Sequence, residues 1–199
     1  MTAQIIEWGV ASLAMPGQSQ SGDRYVVHPS PNGVMVAAID GLGHGQEAAR
    51  AADRAATILT KHAHESMIGL VKRCHDQLRE TRGVVLSLAV INAVEGDLTW
   101  MGVGNVEGVV VRATASANPR QESLLLRGGV LGHQLPSLYA SIIPIARGDT
   151  LILVTDGIHC NFADGLNVTD RPQLIADRIV AGYSKGSDDA LVLVARYLN

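Results

Sequence analysis

The chain has 199 residues, 47% hydrophobic and 18% charged, with 21 glycines and only 4% aromatics. That length and apolar content suit one domain with a real core, 1–199, and exclude a disordered chain. A net charge of −3 supplies no basic field, so neither nucleic acid nor an anionic membrane is an expected partner.

The opening MTAQIIEWGV carries Glu7 and lacks the basic start of a signal peptide, and no apolar run approaches the roughly 20 residues of a membrane-spanning helix. Cys74 and Cys160 stand apart in apolar contexts and are expected as reduced core or near-core residues. A cytoplasmic protein is the expectation.

Along the chain, MPGQSQSG from Met15 to Gly22 is a loop by composition, and SGDRYVV after it opens another possible strand. VMVAAI from Val34 to Ile39 predicts a short buried strand. After spaced glycines comes QEAARAADRAATILTKH, where Ala48, Ala51, Ala52, Ala55, Ile58 and Leu59 repeat at helical spacing, a face small enough to lie close to its neighbour. Ser66 predicts the N-cap of a second helix carrying Met67, Leu70, Val71, Cys74 and Leu78 on one side, with Gly83 after its last turn.

From Gly83 the texture is that of strands: GVVLSLAVINAV, a turn at Glu95-Gly96-Asp97, LTWMGV and VEGVVVRA. Further strands are expected at Ser123 to Leu126 and Thr150 to Thr155. Asp170 is expected to open a helix, with Pro172 in its first turn, Gln173 completing a capping box and Gly182 at its end. ALVLVARYL closes the chain as a strand. Strands linked mostly by hairpins predict an α+β fold with helices packed on largely antiparallel sheets.

Aspartates recur where strands end. Asp40-Gly41 follows VMVAAI, Asp156-Gly157 follows TLILVT, and Asp188-Asp189 precedes the last strand; if that strand runs antiparallel to the others, all three gather on one sheet edge, and Asp23 could join them. Clustered carboxylates repel one another and call for a positive charge among them, yet no Lys or Arg adjoins Asp40, Asp156 or Asp188. Oxygen-only donors favour Mg²⁺ or Mn²⁺, and no Cys/His spacing suggests zinc. The competing reading makes each Asp-Gly an ordinary turn. Gly41, Gly43 and Gly45 match neither a dinucleotide fingerprint nor a P-loop, and are read as freedom for the backbone to turn from strand into helix.

The ordered set Ser21-Gly22-Asp23, Asp40-Gly41-Leu42-Gly43-His44-Gly45 with its alanine-rich helix, Asp156-Gly157, and Asp188-Asp189 resembles the metal-dependent (PPM-type) protein serine/threonine phosphatases. The likeness is to their small bacterial branch of sporulation and stress-response enzymes. It implies a four-layer αββα sandwich, two antiparallel sheets flanked by helices, with two Mn²⁺ or Mg²⁺ ions at one end. Asp40 would bridge both ions and Gly41 would add its carbonyl. Asp156 and the Asp188/Asp189 pair, with both members open as the ligand, would hold one ion; Asp23 would help hold the other. The implied activity is hydrolysis of phosphoserine or phosphothreonine by direct attack of a metal-activated water. The implied substrates are phosphorylated stressosome scaffold or anti-sigma-factor antagonist proteins.

His44 is a candidate general acid, in competition with a loop-ordering role, and His159 is another. Arg24, near but offset from such enzymes' phosphate-gripping arginine, has an open role, and Glu107 is a loose substitute for the aspartate of a GDSR-like run. The alternatives are an inactive binding module on the same fold and, less favoured for want of a preceding helix with a metal-binding asparagine, a histidine-kinase-like ATPase.

Overall fold

The computed structural model describes residues 4–114 and 116–199; residues 1–3, part of the stretch read above for a leader, lie outside them. Eleven strands and three helices are assigned among these residues: β1 Ile6–Leu13, β2 Asp23–Ser30, β3 Gly33–Gly41, α1 Gln46–Lys61, α2 Met67–Gln77, β4 Val84–Asn92, β5 Asp97–Val103, β6 Glu107–Val111, β7 Gln121–Ser123, β8 Leu126–Arg127, β9 Ser141–Pro144, β10 Thr150–Val154, α3 Pro172–Tyr183 and β11 Ala190–Tyr197.

The strands form two sheets. One has the order β1-β11-β10-β6-β7, the other β2-β3-β4-β5-β8 with β9 also on β5. Every ladder is antiparallel except the short β5–β8 pair. Side chains such as Val36, Ala38, Val110, Leu153 and Leu193 fill the space between the sheets. On the outer face of the second sheet, Ala51, Ala52, Ala55, Leu59, Leu70 and Val71 of α1 and α2 pack on Ala37, Ile39, Leu86 and Leu88. On the outer face of the first, Ile175, Ala176 and Ile179 of α3 pack on Ile152, Val192 and Val194. The result is the four-layer αββα sandwich. Strands buried on both faces explain why β3 and β11 read as unbroken apolar runs and not as alternation. Removing one such side chain, Leu193→Ala for example, is expected to cost about 2–5 kcal/mol.

Several local expectations are corrected. Ser123 to Leu126 is not one strand: β7 pairs with β6 and β8 with β5, so the chain crosses between sheets there. β1 and β9 were not foreseen. Gly9 breaks the pattern of β1 because α3 lies against it, and a Cβ there would stand 2.3 Å from the Gln173 backbone. Asp170 does not cap α3; Arg171 is the N-cap residue without a side-chain bond, Pro172 opens the helix, and Gly182 lies inside it. Asp170 pairs instead with Arg178. Gln173, freed from the expected capping box, turns its amide to Val10 on the open side of β1: Val10 N–H donates to Oε1 at 3.1 Å and Nε2 donates to the Val10 carbonyl at 2.8 Å. Ser66 does cap α2, accepting from Gly69 N–H at 3.2 Å. Cys74 is buried, its thiol pushed up to about 12 by desolvation, whereas Cys160 is exposed and not a core residue. No helix among the described residues is long and apolar enough to cross a membrane.

Candidate metal centre and active site

The aspartates meet at one end of the sandwich, but not on one sheet edge as expected. β2 and β3 pair so that Asp23 stands opposite Asp40 at the end of the second sheet. β10 and β11 pair so that Asp156, just past β10, and Asp188-Asp189, just before β11, lie at the end of the first. Hydrogen bonds join the two ends. Thr155 Oγ1 donates to Asp23 Oδ2 at 2.8 Å while accepting from Leu191 N–H, and Asp189 Oδ2 accepts from Gly22 N–H at 2.7 Å.

Asp156-Gly157 is a turn, with Ile158 N–H donating to the Thr155 carbonyl at 3.1 Å, whereas Asp40-Gly41 lies within β3. Gly41 closes β3, where an added Cβ would lie 2.1 Å from the Ala48 carbonyl oxygen; at Gly157 it would lie 1.9 Å from that of Asp189. Each glycine is required by a backbone passing close behind it. In the first case that backbone belongs to the alanine-faced α1. Gly43 and Gly45 behave as anticipated, with left-handed φ of 84° and 77° that turn the chain into α1, and Gly45 is the N-cap residue.

The carboxylates differ in what holds them. Asp189 is 3% exposed and both its oxygens are occupied, Oδ1 by Met15 N–H and Oδ2 by Gly22 N–H, each at 2.7 Å. Asp188 is half-buried and, among the described residues, accepts only from Asp189 N–H at 2.8 Å. Asp156 accepts from Asn105 Nδ2 at 2.7 Å. Among the described residues nothing donates a hydrogen bond to the Asp40 side chain. Burial above all, then the neighbouring Asp23, Asp156, Asp188 and Asp189 charges, push Asp40 up to about 8. Burial also lifts Asp23 to about 7 with the help of Asp189, Asp156 and Asp188, against the Thr155 bond. Burial and Asp188 raise Asp156, opposed by Lys185 and Asn105.

Among the described residues no three His, Cys, Asp or Glu side chains already converge on one metal position, several being turned onto protein donors. The chemistry of the set nonetheless fits a hard divalent cation. It is all oxygen, mutually repelling, partly buried and almost without basic neighbours.

His44 sits exposed in the loop between β3 and α1, and His159 is exposed after Asp156. Arg24 does not face the cluster. Its guanidinium binds Asp53 and the Ser21 and Asp23 carbonyls. Glu107 begins β6, with its carboxyl raised by burial. Three contributors escaped the sequence reading: Thr155, Asn105 and Lys185. Gly104-Asn105, a polar step at the end of β5, was the available signal for the second of them.

Residues 30–198 match the family model described as stage II sporulation protein E (SpoIIE). The chain belongs to the SpoIIE family. A relative within reach of this SpoIIE-family chain, the phosphoserine phosphatase RsbX of Bacillus subtilis (strain 168), is 25% identical over 152 residues, 75% of this chain and 73% of RsbX. A chain from a structure of the bacterial stressosome superposes with a TM-score of 0.87 at 27% identity, covering 97% of this chain and 100% of that one. RsbX in complex with magnesium gives 0.83 at 22% identity, covering 98% and 96%. The PP2C phosphatase domain of SpoIIE from Bacillus subtilis gives 0.76 at 21%, covering 97% of this chain and 63% of that one. These matches establish the PP2C fold, and with it a serine/threonine phosphatase of the PPM type.

Proposed function

We propose that this phosphatase depends on Mn²⁺ or Mg²⁺, two ions at once, and that residues 1–199 form one cytoplasmic catalytic domain. One observation carries the reading: the ends of both sheets converge on five aspartates, two of them buried enough to be pushed to about 7 and about 8. Asp40 would bridge the ions, with the Gly41 carbonyl beside it. Asp156 and Asp188 would hold one ion and Asp23 the other. Asp189, its oxygens already spent on Met15 and Gly22, suits a brace for the loop before β2 better than a ligand, which favours Asp188 within the pair.

When bound, such ions make a water nucleophilic near neutral pH and offset phosphoryl charge. The chain's own residues do the rest. Asn105 and Thr155 orient Asp156 and Asp23, and the role we assign to His44, exposed in the loop between β3 and α1, is to return a proton to the departing seryl or threonyl oxygen. The substrates we propose are phosphorylated stressosome scaffold or anti-sigma-factor antagonist proteins, which would make this a resetting step in bacterial stress signalling. The likeness to RsbX and to a stressosome-associated chain supports this.

Purified protein with Mn²⁺ should hydrolyse p-nitrophenyl phosphate and release phosphate from a phosphorylated scaffold protein, as read by mass spectrometry of the phosphosite. EDTA or Asp40→Ala should abolish both. Activity surviving either treatment would sink the reading.

A further inference from the structure

Lys185 is brought to the aspartate end by local pairing. Ser184 bridges Ile158, His159 N–H donates to the Tyr183 carbonyl at 2.9 Å, and Lys185 N–H donates to the Gly157 carbonyl at 2.8 Å. Residues 183–185 therefore run beside the segment that follows Asp156, and Lys185 Nζ donates to the Asp156 backbone carbonyl. The side chain is exposed, and among the described residues it forms no ion pair.

Other cations near this end are committed elsewhere. Arg24 is held by Asp53. Arg82, whose Nη1 would stand 2.9 Å from a Cβ on Gly43, is paired with Glu47 at 2.5 Å. Lys185 is also the cation whose charge reaches Asp156 and Glu107. A phosphate monoester arriving here is a dianion approaching a group of carboxylates, and its outward oxygens need a donor at the rim. The carbonyl bond of Lys185 is replaceable by water, and a flexible four-carbon stem lets an ammonium swing to a new acceptor.

We propose that Lys185 is a catalytic residue that leaves the Asp156 carbonyl to bind a non-bridging phosphoryl oxygen, so that its charge sets the affinity for the phosphate group. This rests on the phosphatase reading above. The rival role is a neutral clip that only holds the Asp156 loop.

Wild type, Lys185→Gln and Lys185→Arg, each loaded with Mn²⁺, separate the two. Gln keeps an N–H donor but loses the charge; Arg keeps the charge. Lys185→Gln is expected to raise KM for p-nitrophenyl phosphate and weaken calorimetric binding of inorganic phosphate by the same factor, about tenfold, with kcat within about threefold. Lys185→Arg should stay within about threefold of wild type on both, and Mn²⁺ affinity should not change in either variant. A Gln variant indistinguishable from an active wild type overturns this proposal alone, as would equal losses in both variants accompanied by weaker Mn²⁺ binding. A folded wild type that neither hydrolyses the ester nor binds phosphate overturns the phosphatase reading and this proposal together.

Discussion

Two regions of this protein bury aspartate, and they treat it in opposite ways. Asp149, 2% exposed, accepts from Arg112 Nη1 at 2.8 Å, from Ala146 N–H at 3.0 Å and from Ala113 N–H at 2.9 Å, while Glu122 takes the other arm of the guanidinium. Asp40 and Asp23, at the opposite pole of charge balance, have other carboxylates for neighbours, and among the described residues no arginine reaches their carboxyl oxygens: Arg24 stops at the Asp23 backbone carbonyl. The chain thus has the means to neutralise a buried carboxylate and withholds them at one place. A structural aspartate is completed from within, whereas the cluster we propose as a cation site is left short of charge.

The largest expected effect comes from removing one of those charges. Asp40→Asn should lower Mn²⁺-supported phosphatase activity by about a thousandfold or more, since both ions would lose a shared ligand. The same variant without metal should unfold a few degrees higher than wild type at pH 8, about 2–4 °C for each kcal/mol of repulsion relieved. Arg112→Met should do the reverse. It leaves Asp149 buried without its cation, costs about 3–5 kcal/mol, and should drop the melting temperature by about 10 °C. If calorimetry gave both variants the same stability change, the contrast between the regions would be wrong.

Acid–base behaviour sharpens it further. Unfolded aspartates lose their protons near 3.8, while folded Asp23 and Asp40 keep theirs to about 7 and about 8. Between those values the folded state binds more protons, so stability falls as pH rises. Melting temperatures in EDTA should therefore decline from pH 5 to pH 8, and Mn²⁺ should flatten the decline by taking the protons' place. A curve in EDTA that rises over that interval would contradict the arrangement. Smaller again, Asn105→Ala removes the donor that orients Asp156. Mn²⁺ affinity measured by titration should weaken by about tenfold, with the fold unchanged by circular dichroism.

Much of the architecture was legible because it follows periodicity. The alanine face of α1, the doubly buried runs of β3 and β11, and the serine cap of α2 each have a local cause. The aspartates were legible as strand-end residues, but their distribution over two facing sheets was not, because pairing between distant strands leaves no mark on either segment alone. The same holds for Thr155 and Asn105, ordinary until the neighbours they orient are known. Asp188 and Asp189 were interchangeable in sequence, and only the amides of Met15 and Gly22, far away along the chain, tell them apart. β1 was hidden by Gly9, whose reason lies in α3.

The brace at Asp189 also bears on when the enzyme can come alive. It ties Met15 and Gly22 to a residue more than 160 positions later, and β1 finds its ladder partner in β11. Closing so long a loop comes late, because its entropy is spent before any contact rewards it. A growing chain that has not yet reached residue 188 lacks Asp188, Asp189 and, in Ala190–Tyr197, the partner of its first strand. Catalytic competence is in this sense a birth certificate, issued once β1 and β11 have found each other.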